Sequence, residues 1–178
     1  RLIHAGITPI TVKTFGAVGD GVTDDTAAIQ AAIDSLTSGG TLLFPEGVYI
    51  ANGVEQDSQV ILKGEGLTNT FIKSNPNSSV TIITVKDFAT LTESDTWTTS
   101  ALNMKYGYGL ADISIDGNKS NGATCNGVEY YGKNLFINNI EVFNCGGNGL
   151  YTEAGAGSGQ SSYIDMPDED DDKMLVQM

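Results

Sequence analysis

The sequence predicts an all-β fold, a coil of short parallel strands entered through one short helix. Three observations predict it. A helical pattern with one apolar side stands near the N-terminus. The remainder is made of short alternating stretches punctuated by Gly and Asn. Two pairs of these stretches repeat each other at spacings that suit one turn of a parallel β-helix.

The helix lies within "FGAVGDGVTDDTAAIQAAIDSLTSGGTLLFPEGVYI", Phe15 to Ile50, which reads as strand, Gly-rich turn, helix, turn, strand. Gly16, Gly19 and Gly21 permit tight turning at positive φ, and Thr23 or Asp24 can cap the helix by accepting its unpaired amides. Ile29, Ala32, Ile33 and Leu36 fall at i, i+3, i+4 and i+7, a one-sided stripe that must lie across another element. Gly39 and Gly40 end the helix, and "TLLFP" begins an extended segment closed by Pro45 and Gly47. A Gly-rich loop before a helix can cradle phosphate, but this one lacks the Lys-Ser/Thr of a P-loop and the order of a dinucleotide fingerprint. Asp20, Asp24 and Asp25 likewise lack the ligand order of a calcium loop, so turn and cap chemistry is their expected work.

The strands that follow are "QVILKGEGL", "TFIKS", "VTIITVKD", "LADISIDGN", "NGVEYY", "LFINNIEVFNCG" and "NGLYTE". Laying "DISIDGN" on "NIEVFN" places Ile113 over Ile140, a shift of 27, and laying "NGVEYY" on "NGLYTE" places Val128 over Leu150, a shift of 22. Ile113, Ile115, Val128, Ile140, Val142 and Leu150 then point inward. Asn118, Asn144 and Asn148 fall at corners that need residues tolerant of the left-handed conformation. Asp87 to Tyr108, rich in Thr and Ser, reads as an excursion from one turn, and its Trp97 is read either as a sugar platform or as an anchor for the loop.

The run "FGAVGDGVTDDTAAIQAAID" followed by "GGTLLFPEGVYI" resembles the opening segment of the pectate-lyase-like superfamily, which includes tailspike depolymerases and polygalacturonase-like enzymes. The likeness covers Phe15 to Ile50 by motif and the rest as a style of repeat. It implies a right-handed parallel β-helix, or solenoid, whose N-terminal end the short helix caps. The expected division is a lead-in over residues 1–14, an opening and capping segment over 15–50, and the first turns of the coil over 51–178, continuing past the given chain. The terminal run "KMLVQM" looks like a strand with nothing after it, so the chain reads as a fragment.

Activity follows less directly than fold. The resemblance implies a phage tailspike-type depolymerase: a homotrimer in the virion tail that binds and hydrolyses capsular or surface polysaccharide at the bacterial surface. Arg1 is the only arginine, and pectate lyases use calcium between carboxylates with an arginine base, so elimination is less well furnished here than hydrolysis. The Asn-Thr-Asp, Asp-pair and His-Gly pattern of polygalacturonases is also absent. A secreted pectin-type lyase or polygalacturonase and a receptor-binding β-helix without turnover are the alternatives.

Composition narrows the partners. Formal charge is −13 with a pI near 4.1, and six of the 22 acids crowd into Asp165, Asp168, Glu169, Asp170, Asp171 and Asp172, read as a solvated acidic loop. Nucleic acid is therefore not an expected partner. No apolar run approaches the roughly 18 residues that span a bilayer, so membrane insertion is not expected. Cys125 and Cys145 have no metal-binding spacing and there is one His, so buried thiols are expected, with no metal site and no cofactor.

The candidate catalytic pair is Glu129 and Glu153. The shift of 22 sets Glu129 over Tyr151 and Tyr131 over Glu153, all four outward by alternation. Two carboxylates offset by one strand and two residues have Cα atoms roughly 8 Å apart, from about 4.8 Å across and 6.7 Å along. That lies near the roughly 6.5–9.5 Å between the acid and base of inverting glycosidases. Tyr131 and Tyr151 offer sugar-stacking surface beside them. The plainer reading is that Glu and Tyr alternate on any solvated sheet. A second candidate face for sugar hydroxyls is Asp112, Ser114 and Asp116 with Asn139 and Glu141, which equally suits a polar surface that keeps the coil soluble.

Overall fold

The computed structural model describes residues 10–86, 107, 109–131, 135–153, 161–164 and 173–176, the last two segments, Tyr131 and Glu153 as backbone only. It is mostly β, with one α-helix, and its strands form three stacks. The first contains β1 (Ile10–Thr11), β3 (Gly40–Leu43), β6 (Val60–Lys63) and the first halves of β9 (Gly109–Asp116) and β11 (Phe136–Phe143). The second contains β2 (Asp20–Asp24), β4 (Gly47–Ile50), β7 (Thr70–Lys73) and the second halves of β9 and β11. The third contains β5 (Val54–Gln56), β8 (Ile83–Val85), β10 (Val128–Tyr131) and β12 (Leu150–Glu153). All pairings among these strands are parallel, and from β3 onward the chain visits the stacks in the same order on each circuit.

Apolar columns explain the register. Ile10, Leu42, Leu62, Leu110 and Ile137 are successive neighbours in the first stack, Tyr49, Ile72, Ile115 and Val142 in the second, and Val54, Ile83, Val128 and Leu150 in the third. All but the end members Ile10 and Ile137 are buried. A slip of one residue would turn a whole strand's apolar set to solvent, which fixes the pairing. The expected neighbours Ile113 with Ile140 and Val128 with Leu150 are both found.

Between the first and second stacks the early circuits use loops, whereas β9 and β11 turn the corner within a single strand. They do so at Asp112 (φ 52°) and Asn139 (φ 50°), both left-handed and joined by a hydrogen bond from Asn139 Nδ2 to Asp112 Oδ1 at 2.8 Å. Short polar side chains adopt this conformation at least cost among non-glycine residues. At the next corner Asn118 (φ 58°) and Asn144 (φ 55°) are left-handed as expected. Asn148 is not: its amide instead donates to Asn126 Oδ1 at 2.7 Å, which holds it in an ordinary corner conformation.

The helix α1 (Thr26–Asp34) follows β2 as β5 follows β4, and it packs beside β5. Ile29, Ala32 and Ile33 are buried and Leu36 packs against the same core. The N-cap residue is Asp25 rather than Thr23 or Asp24, and it makes no side-chain cap bond; Asp24, one residue earlier, accepts the first helical amide, that of Thr26, at 3.0 Å, while Thr23 turns its hydroxyl to Asp20. Asp25, 1% exposed, accepts the amides of Val18 at 2.6 Å and Gly19 at 2.9 Å and ties the glycine turn down. Phe15 is not in the expected strand: Val12–Phe15 form a 3₁₀ turn closed by Gly16 at φ 98°, and the strand is β2 within the glycine-rich segment.

The last two strands depart from the parallel pattern. β13 (Ser161–Ile164) pairs antiparallel with β12, and β14 (Lys173–Val176), within the expected terminal strand, pairs antiparallel with β11. β11 and β12 are therefore hydrogen-bonded on both sides, and β13 and β14 become the outer strands of their stacks.

Candidate functional site on the third strand stack

Alternation divides the third stack into two faces. Val54, Gln56, Ile83, Val85, Val128, Tyr130 and Leu150 point inward and are buried. Two of these are polar and satisfied together: Tyr130 Oη donates to Gln56 Oε1 at 2.5 Å, and Gln56 Nε2 donates to the carbonyls of Val60 at 2.6 Å and Gly109 at 3.0 Å. This buried bridge fixes the third stack against the first. A polar pair at such a depth is costly unless every group is bonded.

The opposite face carries Glu55, Thr84, Glu129 and Tyr151 as register partners on four successive strands. Glu129 is held at both oxygens. Asn126 Nδ2 donates to Oε1 at 2.6 Å, and Thr81 Oγ1, from the preceding circuit, donates to Oε2 at 3.0 Å. Asn126 is itself fixed by the Asn148 amide, so a chain of bonds crosses three circuits and orients one carboxylate. Tyr151 is the direct partner of Glu129, and Tyr131 that of Glu153, the pairing expected from the sequence. For Tyr131 and Glu153 this register is backbone alone. Trp97 lies outside the described residues.

The second candidate face is differently placed. Ser114 is buried and donates to the Leu67 carbonyl at 2.7 Å, beneath the loop of residues 64–69. Asp116, 8% exposed, accepts Asn118 N at 2.8 Å and Asn144 Nδ2 at 2.7 Å and pairs with Lys73 at 3.0 Å. Asp112 pairs with Lys63 at 3.5 Å beside its bond from Asn139. The solvated face expected from alternation is therefore partly covered, because the loop between β6 and β7 folds over β9. Its Asp112 and Asp116 carboxylates hold the corners, and Glu141 accepts from the Ser114 hydroxyl at 3.3 Å.

Thr81 and Asn126 were not identifiable from sequence as the holders of Glu129. Asn126 stands three residues before it, an available signal, but Thr81 arrives from 48 residues away. Cys125 and Cys145 are buried and not joined in a disulfide. Among the described residues no group of three or more His, Cys, Asp or Glu side chains is placed to hold a metal ion, and no helix is long and apolar enough to cross a membrane.

Residues 10–165 match the family described as rhamnogalacturonase A/epimerase, pectate lyase-like. Mannuronan C5-epimerase AlgE1 of Azotobacter vinelandii is 40% identical over 128 residues, covering 62% of this chain and 8% of that protein. The preneck appendage protein of Bacillus phage PZA is 28% identical over 147 residues, covering 79% of this chain and 16% of that protein. Among solved structures, ORF18 of Geobacillus virus E2 matches with a TM-score of 0.60 at 29% identity over 80% of this chain and 27% of its own. The A-module of the A. vinelandii epimerase AlgE4 matches with a TM-score of 0.58 at 25% identity over 83% of this chain and 50% of its own. The chain thus spans half or less of each of these relatives.

Proposed function

The chain belongs to the pectate lyase-like rhamnogalacturonase A/epimerase family, and from that premise we propose that it is part of a right-handed parallel β-helix that binds and hydrolyses a bacterial capsular or surface polysaccharide, as a phage tailspike-type depolymerase. The observation that carries the reading is the outer column of the third stack, where a carboxylate fixed at both oxygens stands beside a tyrosine. Glu129, oriented by hydrogen bonds at both oxygens, takes the role of base. It draws a proton from a water whose oxygen forms the new bond to the sugar carbon. Glu153 donates its proton to the departing glycosidic oxygen as that carbon–oxygen bond breaks. Tyr131 and Tyr151 carry the sugar rings, and Trp97 adds a further platform. Asp112 and Asp116, read from sequence as sugar contacts, act in this account by holding the corners behind the groove. The likeness to a phage appendage protein supports association with a phage virion; a place in the tail, action at the bacterial surface and a homotrimeric state are parts of the same proposal.

The test is incubation of the protein with a panel of bacterial capsules and with pectin, following reducing ends and unsaturated-uronate absorbance together. New reducing ends without the absorbance support hydrolysis; the absorbance indicates a lyase; binding without new ends indicates a receptor-binding β-helix.

A second reading has its own support. The identity of 40% to a mannuronan C5-epimerase favours inversion at C5 of a uronate polymer, which leaves chain length unchanged. Proton NMR of polymannuronate after incubation distinguishes it, since epimerisation alters the anomeric signals and creates no ends.

A further inference from the structure

We infer that the cleft at the C-terminal end of α1 is a saccharide subsite for a neutral pyranose, lying at one end of the outer face of the third stack. The inference rests on that face being where polysaccharide lies. The cleft, about 580 Å³, includes Leu36, Thr37, Ser38, Asp57, Ser58 and Lys86 in its lining. Its size falls within the roughly 300–1,000 Å³ of small-molecule sites.

Three features give it this character. The first is position. Asp57 follows β5 and Lys86 follows β8, and Lys86 N donates to Gln56 O at 3.0 Å, so the strand ladder continues to this point. Alternation then puts both side chains on the same side as Glu55 and Thr84, so the cleft lies at the end of the two strands that carry Glu55 and Thr84.

The second is chemistry. Asp57 and Lys86 are 3.3 Å apart with side chains 40% and 42% exposed. A carboxylate beside an ammonium at a solvent-facing mouth matches neighbouring sugar hydroxyls: one hydroxyl donates to the carboxylate while the next accepts from the ammonium. Thr37, Ser38 and Ser58 add hydroxyls, and the partly exposed Leu36 gives apolar surface for the C–H face of a ring. The carboxylates of Asp34 and Asp57 outnumber the Lys86 ammonium in this lining, which disfavours a uronate. Three other lysines are engaged elsewhere: Lys63 with Asp112, Lys73 with Asp116, Lys13 over the Tyr49 ring.

The third is rigidity. Gly39 at φ 77° and Gln59 at φ 63° face each other so closely that a Cβ on Gly39 would stand 2.5 Å from that of Gln59. The wall is therefore fixed by backbone, and a ligand meets a preformed shape.

The experiment is NMR titration of the ¹⁵N-labelled chain with maltotetraose, chitotetraose and tetramannuronate, repeated on Thr37→Trp, which fills the cleft from an exposed position, on Lys86→Met and on Glu129→Gln. A neutral tetrasaccharide is expected to shift the amides of Ser38, Gly39, Ser58 and Lys86, with affinity at least tenfold weaker in Thr37→Trp and Lys86→Met. Equal or tighter binding of tetramannuronate in the cleft overturns the neutral assignment. Shifts confined to the neighbours of Glu129 and Tyr151 overturn the subsite and leave the proposed groove standing. Binding in the cleft that survives while Glu129→Gln hydrolyses normally sustains the subsite and removes the catalytic reading. No shift with either neutral probe at millimolar concentration overturns the subsite.

Discussion

The side-chain amide of Gln30 meets the main chain of Glu55 as a neighbouring strand would: Nε2 donates to the Glu55 carbonyl at 3.0 Å and Oε1 accepts the Glu55 amide at 2.8 Å. A helix cannot extend a ladder, yet one glutamine on α1 pairs both polar groups of a residue on the edge strand β5. The apolar side of the helix, Ile29, Ala32 and Ile33, closes the end of the core while Gln30 covers the edge. Replacement of Gln30 by Leu keeps helix propensity and bulk but removes both bonds, together with an exposed one from Nε2 to Asp34 Oδ1 at 3.1 Å. A loss of about 1–3 kcal/mol is expected from two hydrogen bonds at a partly solvated edge, measured by urea unfolding. Stability equal to wild type would show that the apolar face alone holds the cap.

The one-residue bends at Asp112 and Asn139 make a second expectation. Asn139→Ala removes the bond to Asp112 and leaves φ 50° to a residue without the short polar side chain that tolerates it. The left-handed conformation costs an alanine roughly 1–2 kcal/mol, so the unfolding midpoint should fall clearly. Asn139→Gly relieves the strain, and its midpoint should lie between those of Asn139→Ala and wild type. A glycine variant less stable than the alanine variant would mean that the corner is not held by conformation.

Two ionisable groups near the cap set pH limits. Asp24 has its pKa lowered from 3.8, first by the Thr26 hydroxyl and then by the Thr26 amide. A depressed carboxylate contributes stability that is present above the unfolded value and lost as pH falls through the folded one. The cap should therefore loosen below about pH 4, and Asp24→Asn should flatten that loss. Tyr49, buried and donating to the Pro45 carbonyl at 2.8 Å, has its pKa raised to about 12, chiefly by burial and then by the charges of Asp25 and Glu65. Stability is unaffected below the unfolded value of 10.0 and declines as pH rises from there toward 12. Tyr49→Phe should remove part of the alkaline decline, read by denaturant midpoints between pH 9 and 11; identical profiles would show that Tyr49 does not control it.

How far these features are legible in the sequence depends on the range of the interaction. The pairs Ile113 with Ile140 and Val128 with Leu150 could be read because alternation and Asn or Gly corners specify register locally. The bends left a weaker trace. Leu110 and Ile113 are both buried, and the buried Ile140 and the partly buried Ile137 pack on the same core, an odd spacing that breaks strict alternation where the chain turns. Residues 64–69 covering Ser114, and Thr81 reaching Glu129, depend on loops from other circuits, so no local pattern announces them. The antiparallel direction of β13 and β14 was likewise hidden, since a short apolar run does not state which way it will pair.

The central claim, that the Glu129 face cleaves polysaccharide, is tested most directly by counting reducing ends released from a susceptible capsule by wild type, Glu129→Gln and Glu153→Gln, with binding measured alongside. The account expects both variants to bind the capsule as wild type does and to lose at least about 100-fold in turnover, the scale of a positioned acid or base. Turnover within a few-fold of wild type in both variants would contradict it and place the chemistry elsewhere.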